Sequence, residues 1–121
     1  MSKKIIDALT VWGCDVTGAL ERFVFDENLY CSCLTLFSTD DNFNNLELAI
    51  AHHCYSDAFN YTHDLVGVAG NLGLSPLYQA MVELLESLRA KDYTNIEQQY
   101  KNVENTYRTY LNLLSAHNDN N

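Results

Sequence analysis

Proline is almost missing from this chain. One proline and five glycines in 121 residues are too few turn-formers for the frequent reversals of a β-sandwich. Basic residues are scarce as well: seven Lys and Arg stand against 16 Asp and Glu, for a formal charge of −9. The seven are Lys3, Lys4, Arg22, Arg89, Lys91, Lys101 and Arg108, and they form no stripe. That excludes a nucleic-acid partner, which needs a basic surface to neutralise phosphates, and argues against an anionic membrane surface. Nothing in the chain approaches the roughly 18 apolar residues of a membrane span. Lys3-Lys4 precedes only a brief apolar stretch rather than the core of a signal peptide. A cytoplasmic location, away from membrane, is the expectation.

Cysteine is present but sparse: Cys14, Cys31, Cys33 and Cys54. In a cytosolic helical protein these are expected to be reduced and to pack as small hydrophobes, with Cys33 and Cys54 in the core. Cys31-Ser32-Cys33 together with His52-His53-Cys54 raises the alternative of a zinc site. On a helix, however, residues two apart point about 200° away from each other and do not share one ion. No cysteine has a Lys or Arg close by in sequence to favour a reactive thiolate.

What the chain does have is apolar residues, 47% of the total, enough for a core in one domain. Their spacing is helical throughout. Ile5, Ile6, Leu9 and Trp12 form a first short stripe, ended by Gly13, and Leu20 and Phe23 a second. Asp26 is placed to cap a third helix carrying Leu29, Tyr30, Cys33, Leu34, Leu36 and Phe37. Thr39-Asp40-Asp41 ends it and opens a fourth with Phe43, Leu46 and Ile50. A fifth runs from about Tyr55 to Leu72 on Ala58, Thr62, Leu65, Ala69 and Leu72, with Gly73 just past its end. Ser75 is read as the cap of a sixth helix, with Pro76 in its first turn. Thr94-Asn95-Ile96-Glu97 reads as a capping box for the last helix, which bears Tyr100, Tyr107 and Tyr110 as packing aromatics. Glu83, Glu86, Glu97 and Glu104 read as solvated helix faces, with no carboxylate pair for acid–base chemistry. The fold class predicted is all-α: an antiparallel four-helix bundle with additional short N-terminal helices over residues 1–115, then a polar, disordered tail over 116–121.

One feature resists a purely structural account. His63 lies on the face of the fifth helix opposite Ala58, Leu65 and Leu72. Ser56, Asn60, Gly67 and Asn71 fall within about 80° of it on the helical wheel. A glycine inside a helix costs roughly 1 kcal/mol relative to alanine. Placed one turn from the histidine, Gly67 clears a floor beside the imidazole, so that a partner and a phosphoryl group can approach the ring. A neutral imidazole is a competent nucleophile near neutral pH, and Asn side chains bond phosphoryl oxygens without repelling them. The bland alternative is an ordinary surface histidine.

The stretch His63-Asp64-Leu65-Val66-Gly67-Val68-Ala69-Gly70-Asn71-Leu72-Gly73 resembles the signature of histidine-containing phosphotransfer (HPt) domains, roughly His-x-Leu-Lys-Gly-x-Ala-x-x-Leu-Gly. Ala58-Phe59 upstream, and segments from Gly13 through Phe37, resemble the N-terminal half of that family. The likeness extends from about Leu9 to Leu114. It implies a four-helix HPt bundle without kinase or phosphatase activity of its own. Such a domain is a monomeric phosphoryl carrier between receiver-domain aspartates in two-component signalling, acting through His63. Its implied partners are response-regulator receivers and a hybrid histidine kinase. It implies no cofactor or metal on this chain, since the receiver supplies Mg²⁺. Asn60, Gly67 and Asn71 would border the phosphoacceptor, and Val66, Phe59 and Gly70 would form the apolar docking patch. The family's usual lysine three residues after the histidine is here Val66, and Asp57 and Asp64 add negative charge nearby. Arg89 and Lys91 are expected to lie too far along the next helix to replace it. A working relay protein and a degenerate adaptor that binds receivers without transfer therefore both remain open.

Overall fold

The computed structural model describes residues 2–117. Seven helices and no strands occur among them: α1 (Ser2–Trp12), α2 (Val16–Arg22), α3 (Glu27–Phe37), α4 (Asp41–Ala51), α5 (Tyr55–Asn71), α6 (Ser75–Ala90) and α7 (Ile96–His117). No helix among the described residues is long and apolar enough to cross a membrane.

Aspartates start three of the helices by accepting hydrogen bonds from first-turn backbone N–H groups that have no partner within the helix. Asp15 takes the Gly18 N–H at 3.0 Å, Asp26 the Leu29 N–H at 3.0 Å and Asp40 the Asn42 N–H at 2.9 Å. The two starts expected further along form differently. Leu74 occupies the cap position of α6, with Ser75 already helical and no side-chain cap. Thr94 gives both its N–H and its hydroxyl to the Asp92 carboxylate rather than closing a box with Glu97. A turn that satisfies Thr94 locally competes with the box for the same donor.

α5 packs between α4 and α6, and α6 packs on α7. Phe43 of α4 stacks on Tyr107 of α7, ring centroids 3.6 Å apart and 12° from parallel, so α4 also meets α7. α1 lies along α7 and touches α2 and α3. The core runs through Leu9, Leu34, Leu46, Leu65, Leu77, Met81, Leu84 and Val103, all fully buried. In α3 the buried stripe is Tyr30, Cys31, Leu34 and Phe37. Cys31 therefore takes the place expected for Cys33, which is half-buried, while Leu29 and Leu36 face solvent. Cys54 is exposed at the α5 cap rather than in the core.

Two buried tyrosines and the half-buried Tyr107 satisfy helix-end carbonyls. Tyr30 donates its hydroxyl to Leu72 O (2.8 Å), Tyr110 to Leu34 O (2.5 Å) and Tyr107 to Ser38 O (2.8 Å). Each ring buries apolar surface while its hydroxyl finds an acceptor. The C-terminus of α5 is held further by Arg22, whose guanidinium donates to Gly70 O (2.9 Å) and Asn71 O (3.0 Å). Gly73 follows at φ +71, pressed against the Asp15 backbone, whose N–H bonds Gly73 O at 2.8 Å. A side chain there would collide with that backbone, so this glycine is required by the fold. α7 continues to His117, past the boundary expected at residue 115. Residues 118–121 of the expected tail lie outside the described part.

Candidate functional site

α5 is the rigid support of the site. Its buried residues Ala58, Thr62, Leu65 and Ala69 fix the rotation of the helix, and that rotation turns Ser56, Asn60, His63, Gly67 and Asn71 outward to solvent. Thr62, polar but fully buried, spends its hydroxyl on Ala58 O at 2.7 Å. The His63 side chain is 64% exposed. Its Nδ1 lies 3.9 Å from a carboxylate oxygen of Asp64, too long for a direct hydrogen bond.

Gly67 decides how the face is read. A Cβ built on it meets no heavy atom within 4 Å, and its φ is an ordinary helical one. Neither packing nor backbone geometry therefore calls for glycine at this position. Gly70 differs. A Cβ there would stand 3.2 Å from the Tyr78 ring, so Gly70 seats an α6 side chain and is partly covered by it.

The proposed apolar patch is less open than the sequence suggests. Val66 and Phe59 are both half-buried and pack against the core. Val68, on the same helix, is 37% exposed. The site residues thus separate into an outward row of Asn60, His63, Gly67 and Asn71, and a flanking row of Phe59, Val66 and Gly70 set into the groove toward α6.

The structure sets Arg89 of α6 against Phe59 of α5. Its guanidinium carbon sits 5.3 Å from the centre of the Phe59 ring. That ring is in turn 6.0 Å from the imidazole of His63. Arg89 is therefore one ring away from the histidine, a cation over an aromatic face. Its other partner is Glu86 at 3.5 Å, and both side chains are more than half exposed. Sequence spacing held no sign of this, because the contact is made between α5 and α6 rather than along either helix. The signal available was that Phe59 and Arg89 both border the interface of two consecutive helices joined by a short turn.

The remaining histidines and cysteines do not assemble a centre. No group of three His, Cys, Asp or Glu suited to a metal occurs among the described residues. His53 Nδ1 instead pairs with the Tyr55 hydroxyl at 3.3 Å. Compared with known proteins, the chain matches no family model, no curated protein and no solved structure.

Proposed function

We propose that this chain is a histidine phosphotransfer protein, an HPt-type antiparallel four-helix bundle that relays a phosphoryl group between receiver-domain aspartates. It acts as a cytoplasmic monomer and a carrier without kinase or phosphatase activity. One observation carries the reading: an exposed imidazole on a rigid helix, one turn from a glycine that no internal contact explains. The HPt-like sequence around His63 agrees with it. In the transfer, Nε2 of His63 attacks the phosphorus of an aspartyl phosphate. The N–P bond forms as the P–O bond to the receiver carboxylate breaks, and the carboxylate leaves with its electron pair. A Mg²⁺ ion held by the receiver would neutralise the phosphoryl oxygens, and the transfer calls for no cofactor on this chain. Such a reaction is mostly positioning and charge stabilisation, which is what an exposed histidine on a fixed helix offers. Asn60 and Asn71 supply hydrogen bonds along the same face. Arg89, one ring away from His63 and paired with Glu86, adds positive charge at that edge of the face without replacing the lysine that Val66 stands for.

A second reading is favoured by Val66 and by the carboxylate of Asp64 beside the ring: an adaptor of the same fold that binds receivers without accepting phosphate. Incubating the purified chain with phosphorylated receiver domains and Mg²⁺ separates the two. An acid-labile, base-stable label on the native chain, absent from His63→Gln, is expected. Receiver binding without label would establish the adaptor instead.

A further inference from the structure

Beside the His63 face, between the first turns of α5 and the end of α6, lies a cleft of about 430 Å³ lined by Tyr55, Ser56, Phe59, Leu88, Arg89, Lys91 and Tyr93. In a chain with only seven basic residues and a charge of −9, two cations meet here and no carboxylate lines the cleft. Carboxylates stand around the cleft rather than in it: Glu86 pairs with Arg89, Asp92 follows Lys91 and is held ionised by Thr94, Glu97 lines an adjoining pocket that shares Tyr55 and Tyr93, and Asp57 lines another with His52 and Tyr61; Lys91 is the cation on which the cleft's charge turns. Lys91 makes no ion pair among the described residues. Tyr55 and Tyr93 stack face to face, 4.0 Å apart, and form a flat rigid wall. Phe59 belongs both to this cleft and to the His63 contact.

We propose that this cleft is a recognition site for a carboxylate-bearing segment of the receiver that docks at His63. The inference rests on the phosphotransfer reading and names the feature its partner must present. Continuity argues for a docked protein rather than a free anion. The cations are solvated, and an isolated carboxylate gains little from them. A protein already seated on His63 delivers its carboxylates at high local concentration. The geometry fits a standard interface, which buries about 800 Å² per partner, a disc about 16 Å in radius. Ser56 lies seven residues before His63, about 10 Å along the helix, well inside that radius. The stacked Tyr55 and Tyr93 rings give the segment a flat aromatic surface to pack on beside its charge contacts. The cleft thereby sets partner choice and association rate, as rim charges do, while His63 does the chemistry.

The test uses Lys91, which stands apart from the transfer chemistry. Lys91 ends α6 in the left-handed region at φ 57, which asparagine also tolerates, so Lys91→Asn removes the charge without straining the turn. With a receiver that phosphorylates the native chain, Lys91→Asn should slow association about threefold and Lys91→Glu about tenfold at low salt. The differences should shrink at high salt, and melting temperature should hold. Unchanged association rates and salt dependence in both variants would overturn the cleft proposal and leave phosphotransfer standing. If no receiver phosphorylates the native chain, that reading fails on its own, and a second measurement still decides the cleft. In that measurement an Asp/Glu-rich peptide is titrated into isotope-labelled chain at low salt. Amide shifts centred on Ser56, Phe59, Lys91 and Tyr93, lost in Lys91→Glu, support the site. Shifts elsewhere or none overturn it.

Discussion

Replacing Gly67 by alanine separates what the fold needs from what the site needs. Inside a helix the exchange removes unfolded-state freedom and adds helix propensity, together about 0.5–1 kcal/mol in favour of the folded chain. The usual penalties are absent, because φ is helical and the new methyl meets nothing within 4 Å. For a domain of this size, 1 kcal/mol corresponds to about 4 °C in melting temperature. Gly67→Ala should therefore melt a few degrees higher by circular dichroism. The methyl would stand in the floor beside His63 and hold the incoming receiver away from Nε2, and in-line transfer tolerates little displacement: a misplacement of about 1 Å costs roughly a hundredfold. The variant should accept phosphate from a receiver at least tenfold more slowly, and Gly67→Gln slower still. A more stable protein with slower transfer is the expected pair of results. Loss of stability would show that the backbone needs glycine here after all. Higher stability with unchanged transfer would show that nothing approaches this face.

Three further outcomes follow from the same geometry. Arg22→Ala removes both donors from Gly70 O and Asn71 O and should destabilise the chain by about 1 kcal/mol, read as a lower denaturant midpoint with an unchanged slope. Val66→Lys places a flexible cation beside His63 with its stem along the half-buried groove, and should raise the phosphorylated fraction at equilibrium. An unchanged fraction would show that the added charge has no effect on the phosphohistidine. Stability should fall at alkaline pH, because burial pushes the Cys14 thiol and the Tyr100 phenol each up to about 12, and pushes Tyr30 and Tyr110 higher still. These groups bind their protons more tightly when folded, so their contribution is intact below about pH 9 and drains away as pH rises toward 12. Denaturant midpoints at pH 8 and pH 10.5 should show the drop, and equal midpoints would contradict it.

How much was legible in the sequence follows from the kind of interaction involved. Asp26 and Asp40 were readable as helix starts because a cap acts within three residues of chain. The α5 stripe was readable because one helix buries one face, and that stripe alone turned His63, Asn60, Gly67 and Asn71 outward. Ser75 and Thr94 misled because a serine or threonine near a helix start has several local partners, and the choice depends on the turn before it. Cys33 and Cys31 were interchanged because α3 is short and apolar on two sides, so its rotation is set by Tyr30 reaching Leu72 and Tyr110 reaching Leu34. The same limit hid Arg89. Its stacking on Phe59 and the cleft it shares with Lys91 and Tyr93 join α5 to α6 and the turn that follows, and no periodicity within one helix records them.

The most direct test of the account is to locate the phosphoryl group. After transfer from a phosphorylated receiver, the chain is digested at mildly basic pH, where phosphohistidine survives, and the peptides are fragmented by a method that preserves the N–P bond. The account predicts modification at His63, with His52, His53 and His117 unmodified. Phosphate on another histidine, or a chain that binds the receiver and carries none, would contradict it.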